Sequence, residues 1–576
     1  MQITKCHELN RIMKDHKENA EVVDFSRMSV FMLDDQESFQ KMMKNVLIAI
    51  GFSSIAAASS AEAGKRLCNK NRYDMYLIDY NLGAGENGRQ FIHYLHQYGK
   101  LPEDAVVLMV TGDASRAMVL SAIEEEPDDY LIKPFSSQQF RQRIVRCINR
   151  RNDLRDIYHA VNEKRYADAI RLCQEQLSRM SPYSSEIRII LTDVCIKSNE
   201  YQMAKSMLEE GLAFHESARF RLELGKVCYH LGEYAEALEN LSLAKQMKPF
   251  LMEIYRIECS TYVKMGEYNM AEKAIDDAIN ISPQSSTLLR MQIDLAAGQH
   301  NYIKMRDCIG SLMELHKFEG KRLADLMSGF VHAAVLFASS SGERYHLDML
   351  QKIVSSCVRR YSSYITGTNT DFSLEVFDAV SKARVDVTVG NGMKGKKALY
   401  RIINNLSSSV STVPESIFSS IVSGLVQLGD YEYADNLQKS RKEPPTESER
   451  DSVLETCIGI YNTDESIKDK KEKYKSINRQ GIEAYKNGNF SRALELFDEA
   501  LRKSPTNTIA IINKAQSLLR LAQDPNIKKA QQDVYITSCQ EIMSSLDGLP
   551  LSSEQEIHLN DIRAGVQNLK ETAQKK

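Results

Sequence analysis

Four short apolar runs near the start of the chain lead into residues that can handle charge. Asp34 and Asp35 follow Ser29–Leu33, Asp79 follows Met75–Ile78, Thr111 follows Val106–Val110, and Lys133 follows Asp129–Ile132. Three carboxylates brought to one place repel each other unless a cation lies among them. Hard carboxylate oxygens suit Mg2+, which keeps several waters and accepts one or two carboxylates beside a substrate phosphate. An aspartate next to such an ion and a lysine ammonium can attack a phosphoryl group while the cations neutralise the transferred oxygens. Taken singly, a strand-end Asp is a helix cap or turn residue, and a Lys before Pro is a surface residue. The set points to chemistry because all five residues stand at matching ends in chain order.

The elements that position them alternate. Phe39, Met43, Val46, Leu47 and Ile50 repeat at helical spacing up to Gly51, and Ser54–Ala58 reads as a second strand. Further helices are expected over Ala61–Asn69, Phe91–Tyr98, Arg116–Glu125 and Ser137–Arg151. Five strands alternating with five helices predict an α/β doubly wound parallel sheet covered on both faces. Ligands of such sheets bind beyond the carboxyl ends of the strands.

Residues 27–150 resemble a CheY-like response-regulator receiver domain through FMLDDQESF, YLIDYNL, VTGDAS and DDYLIKPF. The resemblance implies that Asp79 is the phospho-acceptor. It implies that Asp34, Asp35, Asp79 and the backbone carbonyl of Asn81 hold Mg2+, and that Lys133 contacts the phosphoryl group. Thr111 and Tyr130 would form the switch pair, and the Lys133–Pro134 bond would be cis. The implied partner is a sensor histidine kinase. The implied chemistry is limited to self-phosphorylation and dephosphorylation, not a free-standing enzyme activity. Receivers often pair through their fourth and fifth helices, so the oligomeric state stays open between a monomer and a homodimer. Two stretches depart from the pattern. The loop YNLGAGENGRQ lacks the usual Pro and is one residue longer before Gly88, and Glu-Pro-Asp-Asp precedes Tyr130.

A second pattern fills the rest of the chain. KRYADA, NEYQMA, GEYAEA, GEYNMA and HNYIKM place Tyr166, Tyr201, Tyr234, Tyr268 and Tyr302 at successive spacings of 35, 33, 34 and 34. This resembles the tetratricopeptide repeat (TPR), a helix pair of 34 residues. The Tyr packs at the turn, the small Ala lets the helices approach, and Pro182, Pro249 and Pro283 end units. GDYEYA at Tyr431 and GNFSRA at Phe490 are further copies, and a weaker unit covers about Thr508–Gln540. The expected organisation is an N-terminal extension over 1–26, the receiver-like domain over 27–150, TPR repeats over 151–315 and degenerate helical repeats over 316–437. A linker and helix follow over 438–470, then C-terminal repeats over 471–545 and a helical tail over 546–576. Pro444-Pro445 marks the linker, and Ser362–Asp371 reads as turn-rich. Leu323–Phe337 and Leu347–Val358 read as amphipathic helices.

Two motifs mislead. GNGMKGKK, Gly390–Lys397, follows the strand-like VDVTV and matches much of a phosphate-binding loop. Lys397 stands where that loop needs Ser or Thr, so a basic loop between helices is expected. Glu236-Ala237-Leu238 spells a signature of cyclic-di-GMP phosphodiesterases, but Ala237 is the small residue of a repeat.

Composition narrows the output. The net charge of −3 argues against a dedicated nucleic-acid binder. The eleven cysteines lie singly, so buried thiols in a reducing cytoplasm are expected. Charged residues interrupt the N-terminal apolar runs, no signal peptide is read there, and no membrane span is expected. The leading reading is a phosphorelay response regulator whose TPR groove binds an unknown protein ligand under the control of Asp79. The alternative is a phosphate sink that competes for phosphotransfer from a sensor kinase to another regulator. The order of domains resembles VieB-like auxiliary regulators.

Overall fold

The structure, a computed structural model, describes residues 23–575 apart from 84, 103, 113–126, 367–370, 407–411, 442–451, 464 and 550. It divides into two compact units, Met1–Leu288 and Leu289–Lys576.

The first unit opens with strands β1 (Ser29–Leu33), β2 (Ser54–Ala58), β3 (Met75–Asp79), β4 (Val106–Thr111) and β5 (Asp129–Ile132). They form one parallel sheet in the order β2-β1-β3-β4-β5. Helices α1 (Glu37–Ile50), α2 (Ala61–Lys70), α3 (Gly88–Gln97) and α4 (Ser137–Asp153) cover it. Strand side chains alternate between faces. Phe31, Tyr76, Ile78 and Met109 pack with Cys68 of α2 and Phe91 of α3. Met32, Leu77 and Leu108 pack with Met43 and Leu47 of α1 and Phe140 and Ile144 of α4. The helix expected over Arg116–Glu125 lies outside the described residues. Helix α3 starts at Gly88, earlier than the expected Phe91, because Asn87 and Gln90 cap one another reciprocally.

Helix pairs follow: α5 (Arg155–Asn162) with α6 (Tyr166–Ser178), α7 (Ser184–Lys197) with α8 (Tyr201–Phe214), α9 (Ala218–Leu231) with α10 (Tyr234–Met247), and α11 (Met252–Met265) with α12 (Tyr268–Ile281). The Tyr-x-x-Ala pattern has a backbone cause. The residue two before each motif aromatic closes the turn with positive φ: Lys164 57°, Asn199 63°, Gly232 81° and Gly266 77° in this unit. Gly pays least there, and Ala169, Ala204, Ala237 and Ala271 are fully buried in the helix-pair cores. The helix expected over Ser137–Arg151 is α4, which runs on to Asp153, and Leu154, fully buried, separates it from α5.

Helix α13 (Ser286–Gly298) crosses the boundary between the units. The second unit continues with α14 (Tyr302–Leu315), α15 (Gly320–Ser341), α16 (Arg344–Thr366), α17 (Leu374–Thr388), α18 (Gly392–Leu406), α19 (Glu415–Gln427) and α20 (Tyr431–Ser440). It closes with α21 (Ser452–Thr463), α22 (Glu465–Lys486), α23 (Phe490–Lys503), α24 (Thr508–Ala522), α25 (Lys529–Leu546) and α26 (Ser553–Lys575). Helix α15 is long and apolar enough to cross a membrane, contrary to the sequence reading. It is largely buried here, against α14, α16, α19 and α21. Val453, Leu454 and Cys457 of α21 are buried, and Cys457 Sγ lies 3.6 Å from the Gly329 carbonyl. Pro444-Pro445 lies outside the described residues.

Three local expectations fail here. VDVTV is the end of α17, not a strand, because Phe377, Val380 and Ala383 give it a buried helical stripe that overrides β-branched propensity. Ser362–Thr366 continues α16, with Tyr361 and Ile365 buried on one side. GNGMKGKK is no basic loop. Gly390, φ 94°, occupies the turn position of a repeat, and Gly395 stands where other copies carry Ala. A Cβ on Gly395 would lie 2.6 Å from the Ala383 carbonyl oxygen. Lys396 is fully buried within α18.

Candidate functional site

Strand order reverses between β1 and β3, and the crevice beyond their carboxyl ends holds the predicted acids. Ligand oxygens of Asp34, Asp35 and Asp79 all lie within 4.8 Å of one another. Asp34 and Asp79 are 1% and 4% exposed, whereas Asp35 faces solvent. Lys133, at the end of β5, donates to Asp34 Oδ2 and to Asp79 Oδ2, both at 2.7 Å. The Lys133–Pro134 peptide bond is cis. Burial pushes the Asp79 carboxyl up to about 6, against the opposing pull of Lys133. The donor set is hard and over-supplied with negative charge, since one ammonium faces three carboxylates. It fits Mg2+.

Local backbone bonds fix the acids. The Gln36 amide donates to Asp34 Oδ1 at 2.9 Å. Gln40 Nε2 donates to the carbonyls of Asp34, 2.6 Å, and Ala58, 3.1 Å, tying the ends of β1 and β2 together. The Asn81 amide donates to Asp79 Oδ1 at 3.3 Å. Gly88 turns beneath Asp79, where a Cβ would lie 1.9 Å from the Asp79 carbonyl oxygen.

Thr111 is fully buried at the end of β4, and its carbonyl accepts from the Lys133 amide at 2.7 Å. Tyr130, in register with Met109, packs against the core on the α2–α3 side. The structure therefore brings Asp34, Asp35, Asp79 and Lys133 into contact range. It places Thr111 beside them on the neighbouring strand and Tyr130 nearer the start of β5.

The sequence reading missed several residues. Phe39 of α1 lies under Lys133, its ring centroid 3.7 Å from Nζ. Helix α4 grips the start of β5 with three arginines. Arg143 Nη1 donates to Asp129 Oδ1 at 2.6 Å and to the Tyr130 carbonyl at 3.4 Å. Arg150 Nη2 and Arg151 Nε donate to Asp128 Oδ1 at 2.6 and 2.9 Å, and Asp128 Oδ2 accepts from the Val107 amide at 2.9 Å. The same arginines reach the first repeats: Arg151 lies 5.2 Å over the Tyr158 ring and Arg150 Nη1 lies 3.7 Å from Glu186. The Asp-Asp of the unusual Glu-Pro-Asp-Asp stretch was the available signal.

Comparison with known proteins gives the same division. Residues 30–145 match the response regulator receiver domain family. Residues 196–251, 260–285 and 478–524 match tetratricopeptide repeat families. The chemotaxis protein CheY of Pseudomonas aeruginosa is 26% identical over 125 residues, 22% of this chain and 99% of CheY. A solved response regulator from Burkholderia pseudomallei, with a phosphorylated aspartic acid, calcium ion and citrate, is 26% identical. That match covers 20% of this chain and 64% of the other, at a TM-score of 0.18. A solved tetratricopeptide repeat protein from Parabacteroides merdae is 12% identical, covering 51% of this chain and 98% of the other, at a TM-score of 0.26.

Proposed function

We propose that this chain, a response-regulator receiver domain joined to tetratricopeptide repeats, accepts a phosphoryl group on Asp79 and uses it to control a protein contact of its repeats. The observation that carries the reading is the crowding of Asp34, Asp35 and Asp79, with the Lys133 ammonium bridging Asp34 and Asp79. Asp34, Asp35 and Asp79, with the Asn81 carbonyl, would hold Mg2+, which when bound supplies positive charge to phosphoryl oxygens. An Asp79 oxygen attacks the phosphorus of a sensor kinase's phosphohistidine. The P–N bond breaks, its electron pair and a proton stay with the imidazole, and an acyl phosphate forms. Lys133 balances the charge on the transferred oxygens. The chemistry stops at this domain's own phosphorylation and hydrolysis.

The Thr111 hydroxyl, buried at the strand end, is the group that would donate to a phosphoryl oxygen, with Tyr130 following. The arginine grip supports an output route, because it ties the Tyr130 strand to α4 and α4 to the first repeats. The repeat surface would take a protein ligand rather than nucleic acid or membrane. The ten described cysteines are free and buried, which suits a reducing cytoplasm.

Acetyl phosphate with Mg2+ should add one phosphoryl mass to the full chain, located at Asp79 and absent from Asp79→Asn. Labelling that persists in Asp79→Asn overturns the assignment. Beryllofluoride should change hydrogen exchange over residues 127–197. Unchanged exchange with the site occupied would leave the domain as a phosphate sink.

A further inference from the structure

We propose that Phe39 is a positioning residue for Lys133, holding the ammonium at the phospho-acceptor site through the face of its ring. The inference rests on the phospho-acceptor reading above and adds a residue to it.

An ammonium has three N–H donors and no acceptor. Two of those on Lys133 are taken by Asp34 Oδ2 and Asp79 Oδ2, each at 2.7 Å. The Phe39 ring centroid is 3.7 Å from Nζ, well inside the ~6 Å over which a ring quadrupole attracts a cation. Four elements thus converge on one nitrogen: the ends of β1, β3 and β5, and the first turn of α1. The ring is itself fixed. Its neighbour Phe135 meets it edge-on at 6.3 Å and 85°, and Phe135 stacks on Phe140 at 5.6 Å. Phe140 is fully buried in the core between the sheet and α4. Phe39 therefore stands on a column of aromatic rings rooted in the domain interior.

A neutral ring suits this position better than the alternatives. A carboxylate there would compete with the phosphoryl group for the ammonium and add to an already negative crevice. An aliphatic side chain would cover the lysine without attracting it, leaving the rotamer freedom of a long, flexible side chain unopposed. The Lys133 side chain is only 15% exposed. When Asp79 takes a phosphoryl group, that oxygen ceases to be an anionic acceptor. The ammonium must then turn to a phosphoryl oxygen, and the ring lets it turn because the attraction fixes no single donor direction.

The test uses the full-length chain with Mg2+. Labelling of Asp79 by acetyl phosphate is followed by intact mass, and beryllofluoride binding by fluorine NMR. Mg2+ affinity alone is measured by calorimetry, for wild type, Phe39→Leu and Phe39→Tyr. Cation–π attraction of this class corresponds to about a 2- to 30-fold effect. Phe39→Leu should slow labelling and weaken beryllofluoride binding by that factor while Mg2+ affinity holds, because a phenyl ring offers the ion no oxygen ligand. Phe39→Tyr keeps the ring and should stay within about twofold of wild type. The proposal is overturned by Phe39→Leu labelling at the wild-type rate, by Mg2+ affinity falling in parallel with labelling, or by Phe39→Tyr failing like Phe39→Leu. A wild-type chain that takes no label refutes the phospho-acceptor reading instead.

Discussion

Two lysines in this chain hold aspartates away from bulk water, and their surroundings separate the proposed phospho-acceptor site from a structural ion pair. Lys133 stands at the strand ends against three carboxylates, one of them exposed. Lys396, in the second unit, is wholly enclosed. Its Nζ lies 2.7 Å from Asp430 Oδ2 and donates to the Thr506 carbonyl at 2.5 Å, while Tyr400 donates to Asp430 Oδ2 at 3.0 Å. Around Lys396 one ammonium meets one carboxylate, and their remaining valences go to backbone and a phenol. It joins α18 to the turns before α20 and α24. Around Lys133 the carboxylates outnumber the cation, and the mouth is open. Burial of a Lys–Asp pair therefore does not mark chemistry. Surplus charge with a path to solvent does.

The largest expected difference is in stability. Lys396→Met strands a buried Asp430, and breaking such a pair by removing one partner costs about 3–5 kcal/mol. Denaturant unfolding of the full chain should show that loss in the transition of the second unit. Mg2+ should not restore it. Lys133→Met should also destabilise the receiver, through repulsion among Asp34, Asp35 and Asp79, but there added Mg2+ should recover the loss. If Mg2+ rescued neither variant, the contrast between the two sites would collapse.

The next effect is on rate. Gly88→Ala places a methyl 1.9 Å from the Asp79 carbonyl oxygen, so the backbone carrying the acceptor must move. A displacement near 1 Å at a reacting group can cost about a hundredfold. The labelling rate with acetyl phosphate should fall on that order, whereas Gly395→Ala, whose methyl would lie 2.6 Å from the Ala383 carbonyl oxygen in the second unit, should lower stability and leave labelling alone.

Much of this was legible in the sequence, and the failures have a common cause. The candidate site showed itself because parallel strands send Asp34, Asp79, Thr111 and Lys133 to one edge, so chain order predicts proximity. The repeats showed themselves because each turn needs positive φ two residues before the aromatic. The same rule explains GNGMKGKK, but Gly392 replaces the aromatic there and hid it. Lys396 looked like surface because its partners, Asp430 and Thr506, lie far along the chain, where no local period points. Phe39 looked like an ordinary member of an apolar helical stripe, and only the folded position of Lys133 reveals what its ring faces. Asp128 looked like a loop residue, because its arginine partners sit on the far end of α4.

A smaller effect concerns pH. Burial raises the Asp79 carboxyl to about 6, so below that value the group carries a proton that Mg2+ must displace. Mg2+ affinity should fall about tenfold for each pH unit below about 6 and level off above it. Calorimetric titration between about pH 5 and 7.5 should show this slope in wild type and not in Asp79→Asn. A pH-independent affinity in wild type would mean that the other carboxylates carry the ion without Asp79. No such metal dependence is expected at Asp430, although burial raises its carboxyl and lowers the Lys396 ammonium, because among the described residues Asp430 belongs to no group of three ligand atoms close enough to hold an ion.

The smallest effect tests how completely the Lys396 pair is satisfied. Tyr400→Phe keeps the ring, whose centroid is 5.2 Å from Lys396 Nζ, and removes only the hydroxyl that donates to Asp430 Oδ2. Asp430 retains Lys396 and the backbone amide of Thr508. The loss should thus be that of one hydrogen bond, about 1 kcal/mol, read as a shift in the same denaturation transition with labelling of Asp79 unchanged. A loss as large as that of Lys396→Met would mean that the phenol, not the ammonium, is what makes the buried carboxylate tolerable. A loss near zero would mean that Lys396 and Thr508 already satisfy it. Only the intermediate value fits a closed pair in which each donor takes a share. That is the opposite of the receiver crevice, where three carboxylates face one ammonium and no closed pairing satisfies them all.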